Sequence, residues 1–128
     1  MRLRSALTIT AFTALAGLAG PALAEGDAAA GEKVFNKCKA CHTVEAGKNR
    51  VGPSLYNIIG KAPAAVEGFR YSKGMEEFAA DHVWDDETLS AYLETPKDVV
   101  KGTKMAFVGL KKPEDRADVI AYLKQFTE

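Results

Sequence analysis

Cysteine, histidine, tryptophan and any excess of one charge are scarce in this 128-residue chain, and each shortage narrows what the protein can be. Lys and Arg number 17 and Asp and Glu also 17, for a formal net charge of zero. Bulk nucleic-acid binding needs a strong basic excess, so that class is excluded. The only two cysteines, Cys38 and Cys41, allow one disulfide at most. A zinc site would need further Cys or His ligands, and His42 and His82 are the only histidines. Strand-like alternation is nearly absent, which points to an all-α domain. After the first residues there is no internal repeat, no low-complexity stretch and no apolar run of the roughly 20 residues that a membrane span requires.

The chain opens with what reads as a cleavable secretory signal peptide over residues 1–24. Arg2 and Arg4 give a positive start, an Ala/Leu-rich run extends from Ala6 to Leu18, and Gly20 and Pro21 break it. Ala22-Leu23-Ala24 places small residues where a signal peptidase reads. The run is too short and too punctuated by Thr and Gly for a retained membrane anchor. Residues 25–128 then form a single domain with 15 basic and 17 acidic residues, a net charge of −2. A chain of that size has a marginal core, which a staple or prosthetic group would reinforce.

Within this domain, residues 28–39 read as a helix capped by Asp27, with Val34, Phe35 and Cys38 on one face. Gly47, Asn49, Gly52 and Pro53 make 43–53 a loop. Short helices are expected over 54–60 and from Ser72 to Ala80. Asp85 or Asp86 caps another over 87–95, which Pro96 stops. Residues 96–112 show no clear period and read as a long loop. The last helix starts at Pro113, with Glu114 and Asp115 in its first turn and an apolar stripe of Val119, Ile120, Leu123 and Phe126.

Cys38-Lys39-Ala40-Cys41-His42 is the attachment signature of a c-type haem. Two thiols at this spacing can each add to one vinyl group, and the following imidazole then falls at the iron as proximal ligand. A lone disulfide leaves His42 unexplained, and a thioredoxin-like pair lacks its βαβ context. For the iron's other face the candidates are Met75, Met105 and His82. Met75 sits in a Glu-flanked helical stretch, and His82 lies among Asp81, Val83 and Trp84. Met105 lies in Gly102-Thr103-Lys104-Met105-Ala106-Phe107, and a loop can bring a thioether to iron without a helix crowding the haem. Residue chemistry therefore favours Met105. A Met/His pair closes both axial positions and favours the ferrous state.

At this point the chain resembles the class I cytochromes c, in particular soluble bacterial periplasmic members close to the mitochondrial protein. The resemblance covers nearly all of residues 26–127. It is carried by Gly31, Phe35, the Cys38–His42 signature, Val51-Gly52-Pro53-Ser54-Leu55, Gly68-Phe69-Arg70-Tyr71 and Trp84. It continues through Tyr92-Leu93-Glu94-Thr95-Pro96, Gly102-Thr103-Lys104-Met105, Phe107 and Ile120-Ala121-Tyr122-Leu123. The family implies one haem c per chain, crossed first and last helices, short central helices and a long methionine-bearing loop. It implies Met105 as sixth ligand and the Pro53 carbonyl as acceptor from His42 Nδ1. Tyr71 and Trp84 match donors to a haem propionate, Tyr92 a tyrosine near the methionine sulfur, and Thr103 a polar neighbour on that side. Gly31 and Phe35 match residues that face Tyr122 and Leu123 at the helix crossing. Two departures are visible. Lys61 replaces an arginine near the propionates, and an ammonium does not reproduce a guanidinium fork. The stretch between Tyr71 and Trp84 is also longer than in the mitochondrial proteins.

The function implied is that of a monomeric periplasmic electron carrier, not an enzyme. A membrane quinol-oxidising bc-type complex or a periplasmic dehydrogenase would donate. A cytochrome oxidase, a photosynthetic reaction centre or a periplasmic reductase would accept. Lys37, Lys39, Lys97, Lys101, Lys104, Lys111 and Lys112 gather near the signature and the methionine loop, where Asp98 is the sole loop acid. Glu76, Glu77, Asp81, Asp85, Asp86 and Glu87 form an opposite, acidic run. Such a dipole steers acidic partners. An open iron would instead suit a peroxide-consuming enzyme or a haem-based sensor, but no distal acid/base pair or further domain supports either.

Overall fold

The computed structural model describes residues 25–128 and Gly17. The leader expected over 1–24 lies, Gly17 apart, outside them. Five helices follow one another: α1 (Ala28–Phe35), α2 (Lys73–Ala79), α3 (Asp86–Glu94), α4 (Pro96–Val99) and α5 (Pro113–Lys124). The described residues contain no strand, and none of their helices is long and apolar enough to cross a membrane.

The largest contact between helices is the crossing of α1 with α5. Gly31 makes it possible, because a β-carbon there would overlap the Asp118 carbonyl and press on Tyr122 Cβ. Phe35 then stacks at a tilt on Tyr122, ring centroids 5.2 Å apart. The crossing is also pinned at its start. Asp27 caps α1 by accepting from the Ala29 and Ala30 amides at 2.8 and 3.0 Å, and its own amide donates to Asp118 Oδ1 at 2.8 Å. Val119, Ile120 and Leu123 of α5 are buried with Leu89 and Tyr92 of α3, and with Val100 and Leu110 from the chain beyond it.

Three segments differ from the sequence expectation, each for a local reason. The first helix ends at Phe35, not at residue 39. Beyond it the Cys38 amide donates to Phe35 O at 2.8 Å and the Cys41 amide to Cys38 O at 3.1 Å. Such i→i+3 bonds tighten the chain into turns. Residues 54–60 form no helix, because their amides reach remote carbonyls instead: Leu55 to Thr43 O at 2.8 Å and Asn57 to Phe126 O at 2.7 Å. Asn57 also has φ of +55°, outside the helical region. Conversely, Pro96 both stops α3 and starts α4, since proline suits a first helical turn where no amide donor is needed.

The cap expected at Asp85 or Asp86 is made by Asp85, and Ser72 caps α2. Ser72 accepts from the Met75 amide at 3.1 Å, and Asp85 from the Thr88 amide at 2.7 Å. The bonds from Thr88 hold the Asp85 carboxyl below its ordinary pKa, with a smaller pull from His82. A carboxylate whose pKa is depressed on folding contributes stability that is present above its unfolded pKa and lost as pH falls through its folded one. Asp85→Ala is therefore expected to cost about 1 kcal/mol at neutral pH. Asp85→Asn should keep most of the cap and flatten the loss of stability below pH 4. Denaturant titrations of the three proteins at pH 7 and pH 3 check this. An Asn variant as acid-sensitive as the wild type would contradict it.

Candidate functional site

A cavity of about 780 Å³ opens between the turn that follows α1, the 51–72 segment, α3 and the loop before α5. Its wall is mostly apolar, and the polar groups in it are few and placed. Cys38, Cys41 and His42 enter from the tight turns after α1, where the His42 amide donates to Cys38 O at 2.9 Å and so folds the signature back on itself. Both thiols are free, so the disulfide considered from sequence is not made. Burial pushes the Cys38 thiol up to about 11, against the pull of Lys37, so it stays neutral in the pocket.

His42 is oriented from behind. Its Nδ1–H donates to the Pro53 carbonyl at 2.7 Å, which leaves Nε2 with the free lone pair. Burial lowers its pKa, outweighing that hydrogen bond, so the imidazole is neutral and able to act as a ligand. Pro53 is held in turn by its neighbours. Buried Ser54 donates through Oγ to Glu45 O at 2.6 Å and accepts no slack on its amide side, which donates to Asn49 Oδ1 at 2.9 Å. Gly52 lies flat against the imidazole, where a β-carbon would overlap the ring, and its amide donates to Cys41 O at 2.8 Å.

Met105 lies on the same cavity from the loop before α5. The Tyr92 hydroxyl donates to its sulfur at 3.7 Å and stands 3.3 Å from Thr103 Oγ1, which also accepts from the Met105 amide at 3.3 Å. With the Tyr92 proton on sulfur, the Thr103 hydroxyl donates to Tyr92. Tyr71 and Trp84 complete the lining. The Tyr71 hydroxyl accepts from the Val66 amide at 3.1 Å and keeps its own proton to give. Trp84 is 8% exposed and carries a single N–H. Lys61 also reaches this wall, its backbone paired with that of Trp84.

The structure thus gathers Cys38, Cys41, His42, Pro53, Tyr71, Trp84, Tyr92, Thr103 and Met105 on one cavity. Of the alternatives for the second axial position, Met75 also lines it, whereas His82 does not. His82 stacks on Phe78 at 3.8 Å and gives its Nδ1–H to the Phe78 carbonyl at 2.9 Å on the exposed side of α2. Lys37 and Lys104 stand at the cavity rim, and Lys39, Lys97, Lys101, Lys111 and Lys112 are exposed outside it. Sequence reasoning weighed Met75 only as an alternative axial ligand, and it missed Arg116, a buried arginine behind the methionine loop. Beside Met75, Gly74 lets α2 approach the chain after α4, since a β-carbon there would overlap the Lys101 carbonyl.

The donor set fits a covalently held haem. Two free thiols sit beside a neutral imidazole with one nitrogen already satisfied. A thioether lies on the same large apolar cavity, held by its own hydrogen bonds, and neutral donors are available for propionates.

A family model described as cytochrome c matches residues 28–127. Cytochrome c-554 of Methylosinus trichosporium is 49% identical over 127 residues, covering 98% of this chain and 95% of that protein. Cytochrome c2 of Rhodomicrobium vannielii is 52% identical over 103 residues, 80% of this chain and 81% of its own. Among solved structures, cytochrome cH from Methylobacterium extorquens superposes with a TM-score of 0.73 at 44% identity, over 78% of this chain and 99% of that one.

Proposed function

This chain belongs to the cytochrome c family, electron carriers that bind haem c covalently, and we propose that residues 25–128 work as a monomeric periplasmic shuttle exported by the 1–24 leader. Cys38 and Cys41 would hold the haem through thioether bonds, with His42 and Met105 as its axial ligands. When bound, that group supplies reversible one-electron exchange at its iron.

The chain's own residues do the rest. Pro53 keeps His42 in one tautomer and raises its basicity as a ligand, as partners of ligating histidines do. Tyr92 and Thr103 hold the Met105 sulfur in place. Tyr71 and Trp84 donate to buried propionates, whose charge would otherwise be costly. The apolar wall excludes water, and two protein ligands leave no position for oxygen, peroxide or substrate. Electron transfer is then outer-sphere, through a brief and small contact with each partner. Lys37, Lys39, Lys97, Lys101, Lys104, Lys111 and Lys112 would dock acidic surfaces. A bc-type complex or periplasmic dehydrogenase is the donor, and an oxidase, reaction centre or reductase the acceptor. Electron exchange with such a partner is expected to slow as salt is added, because steering by exposed charges fades within about 8 Å at physiological ionic strength. A rate independent of ionic strength would remove these lysines from docking.

The observation that carries this reading is the placement of Met105, with its Tyr92 bond, on the cavity that holds the Cys38–His42 signature. The test is the visible spectrum of the oxidised, haem-matured protein. The weak red charge-transfer band of a ferric iron–methionine sulfur bond should appear in the wild type and vanish in Met105→Ala. A wild type without it has another sixth ligand.

A further inference from the structure

Arg116 is a charged residue with only 8% of its surface exposed, and no part of the site described above uses it. Burying a guanidinium is costly unless its donors are satisfied. Here four acceptors converge on it from two places. From α3, Ser90 Oγ accepts from Nε at 3.0 Å and Glu94 Oε2 lies 3.9 Å from Nη2. From the exit of the methionine loop, the Leu110 and Lys111 carbonyls accept from Nη1 at 2.7 and 3.1 Å. Arg116 itself belongs to α5.

What it joins matters. The same helix α3 carries Tyr92, whose hydroxyl meets the Met105 sulfur. The loop exit lies along the end of α3, where the Leu110 amide donates to Leu93 O at 2.7 Å and Lys111 Nζ to Glu94 O at 2.6 Å. Gly109, at φ +110°, allows that approach, since a β-carbon would overlap the Glu94 carbonyl. At the loop's entrance, buried Val100 is fixed by its amide bond to Pro96 O at 3.0 Å. Between these anchors, the amides of residues 106–109 find no backbone carbonyl among the described residues. Ahead of that stretch Met105 is held by Thr103 and Tyr92; behind it the chain is held at the loop exit, and Arg116 is the hub of that end.

We propose that Arg116 is the positioning residue of the Met105 loop. By locking the loop exit to α3 it keeps the sulfur in register with Tyr92, and so sets how readily the sixth axial position opens. This rests on Met105 being the sixth ligand. An apolar residue in its place leaves the buried Leu110 carbonyl without a donor and frees the exit to move. Lysine keeps the charge but has no fork to span four acceptors.

The experiment is stopped-flow binding of cyanide to the ferric, haem-matured protein, which requires the methionine to leave first. The wild type, Arg116→Met, Arg116→Lys and Ile120→Ala are compared. The last variant loses stability from the core of the same helix, at a buried residue that does not line the cavity, and leaves the partners of Arg116 in place. Cyanide binding should be about tenfold faster or more in Arg116→Met, the scale of one lost charge-assisted hydrogen bond. It should be intermediate in Arg116→Lys and near wild type in Ile120→Ala at comparable loss of unfolding midpoint. Acceleration no greater in Arg116→Met than in Ile120→Ala would reduce Arg116 to a general stabiliser and overturn the proposal. If the Met variant does not mature, a Lys variant indistinguishable from wild type overturns it equally. A wild type that binds cyanide at once and lacks the charge-transfer band fails earlier, at the ligand itself, and both readings fall together.

Discussion

Substituting valine for Gly31 is expected to destabilise the protein by about 3 kcal/mol, the upper end of what overpacking usually costs. Helix propensity argues the other way, because glycine inside a helix is worse than alanine by about 1 kcal/mol. Alanine at position 31 would therefore be stabilising if α1 stood alone. It does not stand alone. A β-carbon at Gly31 would overlap the Asp118 carbonyl, which is backbone of α5 and cannot swing aside as a side-chain tip could. The helices must separate, and Phe35 then loses its contact with Tyr122 while the Asp27–Asp118 hydrogen bond stretches. Guanidinium unfolding followed by circular dichroism decides between propensity and packing. Both Gly31→Ala and Gly31→Val should shift the midpoint down, valine further. An alanine variant at or above wild-type stability would mean the two backbones are not in contact.

The second large effect is expected at Gly52. A β-carbon there would meet the His42 ring at Nδ1 and Nε2, each at 2.8 Å, and Cε1 closer still. The ring is fixed at Nδ1 by the Pro53 bond at 2.7 Å, so it cannot yield without straining that bond. Gly52→Val should therefore displace His42 and remove most of the haem-matured product, with a smaller loss for Gly52→Ala. Spectra of the purified proteins, and the yield of covalently attached haem per chain, measure this. The control lies away from the cavity. Val83 is 46% exposed and does not line it, so Val83→Ala should leave both yield and spectrum unchanged. A Gly52→Val protein with wild-type yield and spectrum would show that nothing depends on this close approach.

The elements that sequence reading placed best were those with local causes. Asp85 caps α3 and Ser72 caps α2, because cap chemistry needs only a side-chain oxygen and an amide three residues on. Pro113 opens α5 for the same local reason. The 54–60 segment went astray because its amides are claimed by Thr43 and Phe126, partners that no window of sequence contains. The Cys38–His42 signature was legible because three reactive residues at one spacing leave few chemistries open. Arg116 was not, since a lone arginine in a charged helix start reads as solvated until Leu110 and Lys111 are seen to close on it.

By itself, then, the sequence determined the all-helical character of the chain, the attachment signature and the short list of possible axial ligands. Those follow from residue chemistry and short-range periodicity. Only the tertiary structure decided that Met105 and Met75 share the cavity and His82 does not. It likewise decided that a glycine, a proline carbonyl and a serine fix the His42 ring, and that Arg116 closes the loop carrying Met105. The physical reason is that these partners come from separate elements, as where Arg116 of α5 meets Ser90 of α3 and the Leu110 carbonyl of the loop exit, and no local pattern of residue types encodes which elements pack together.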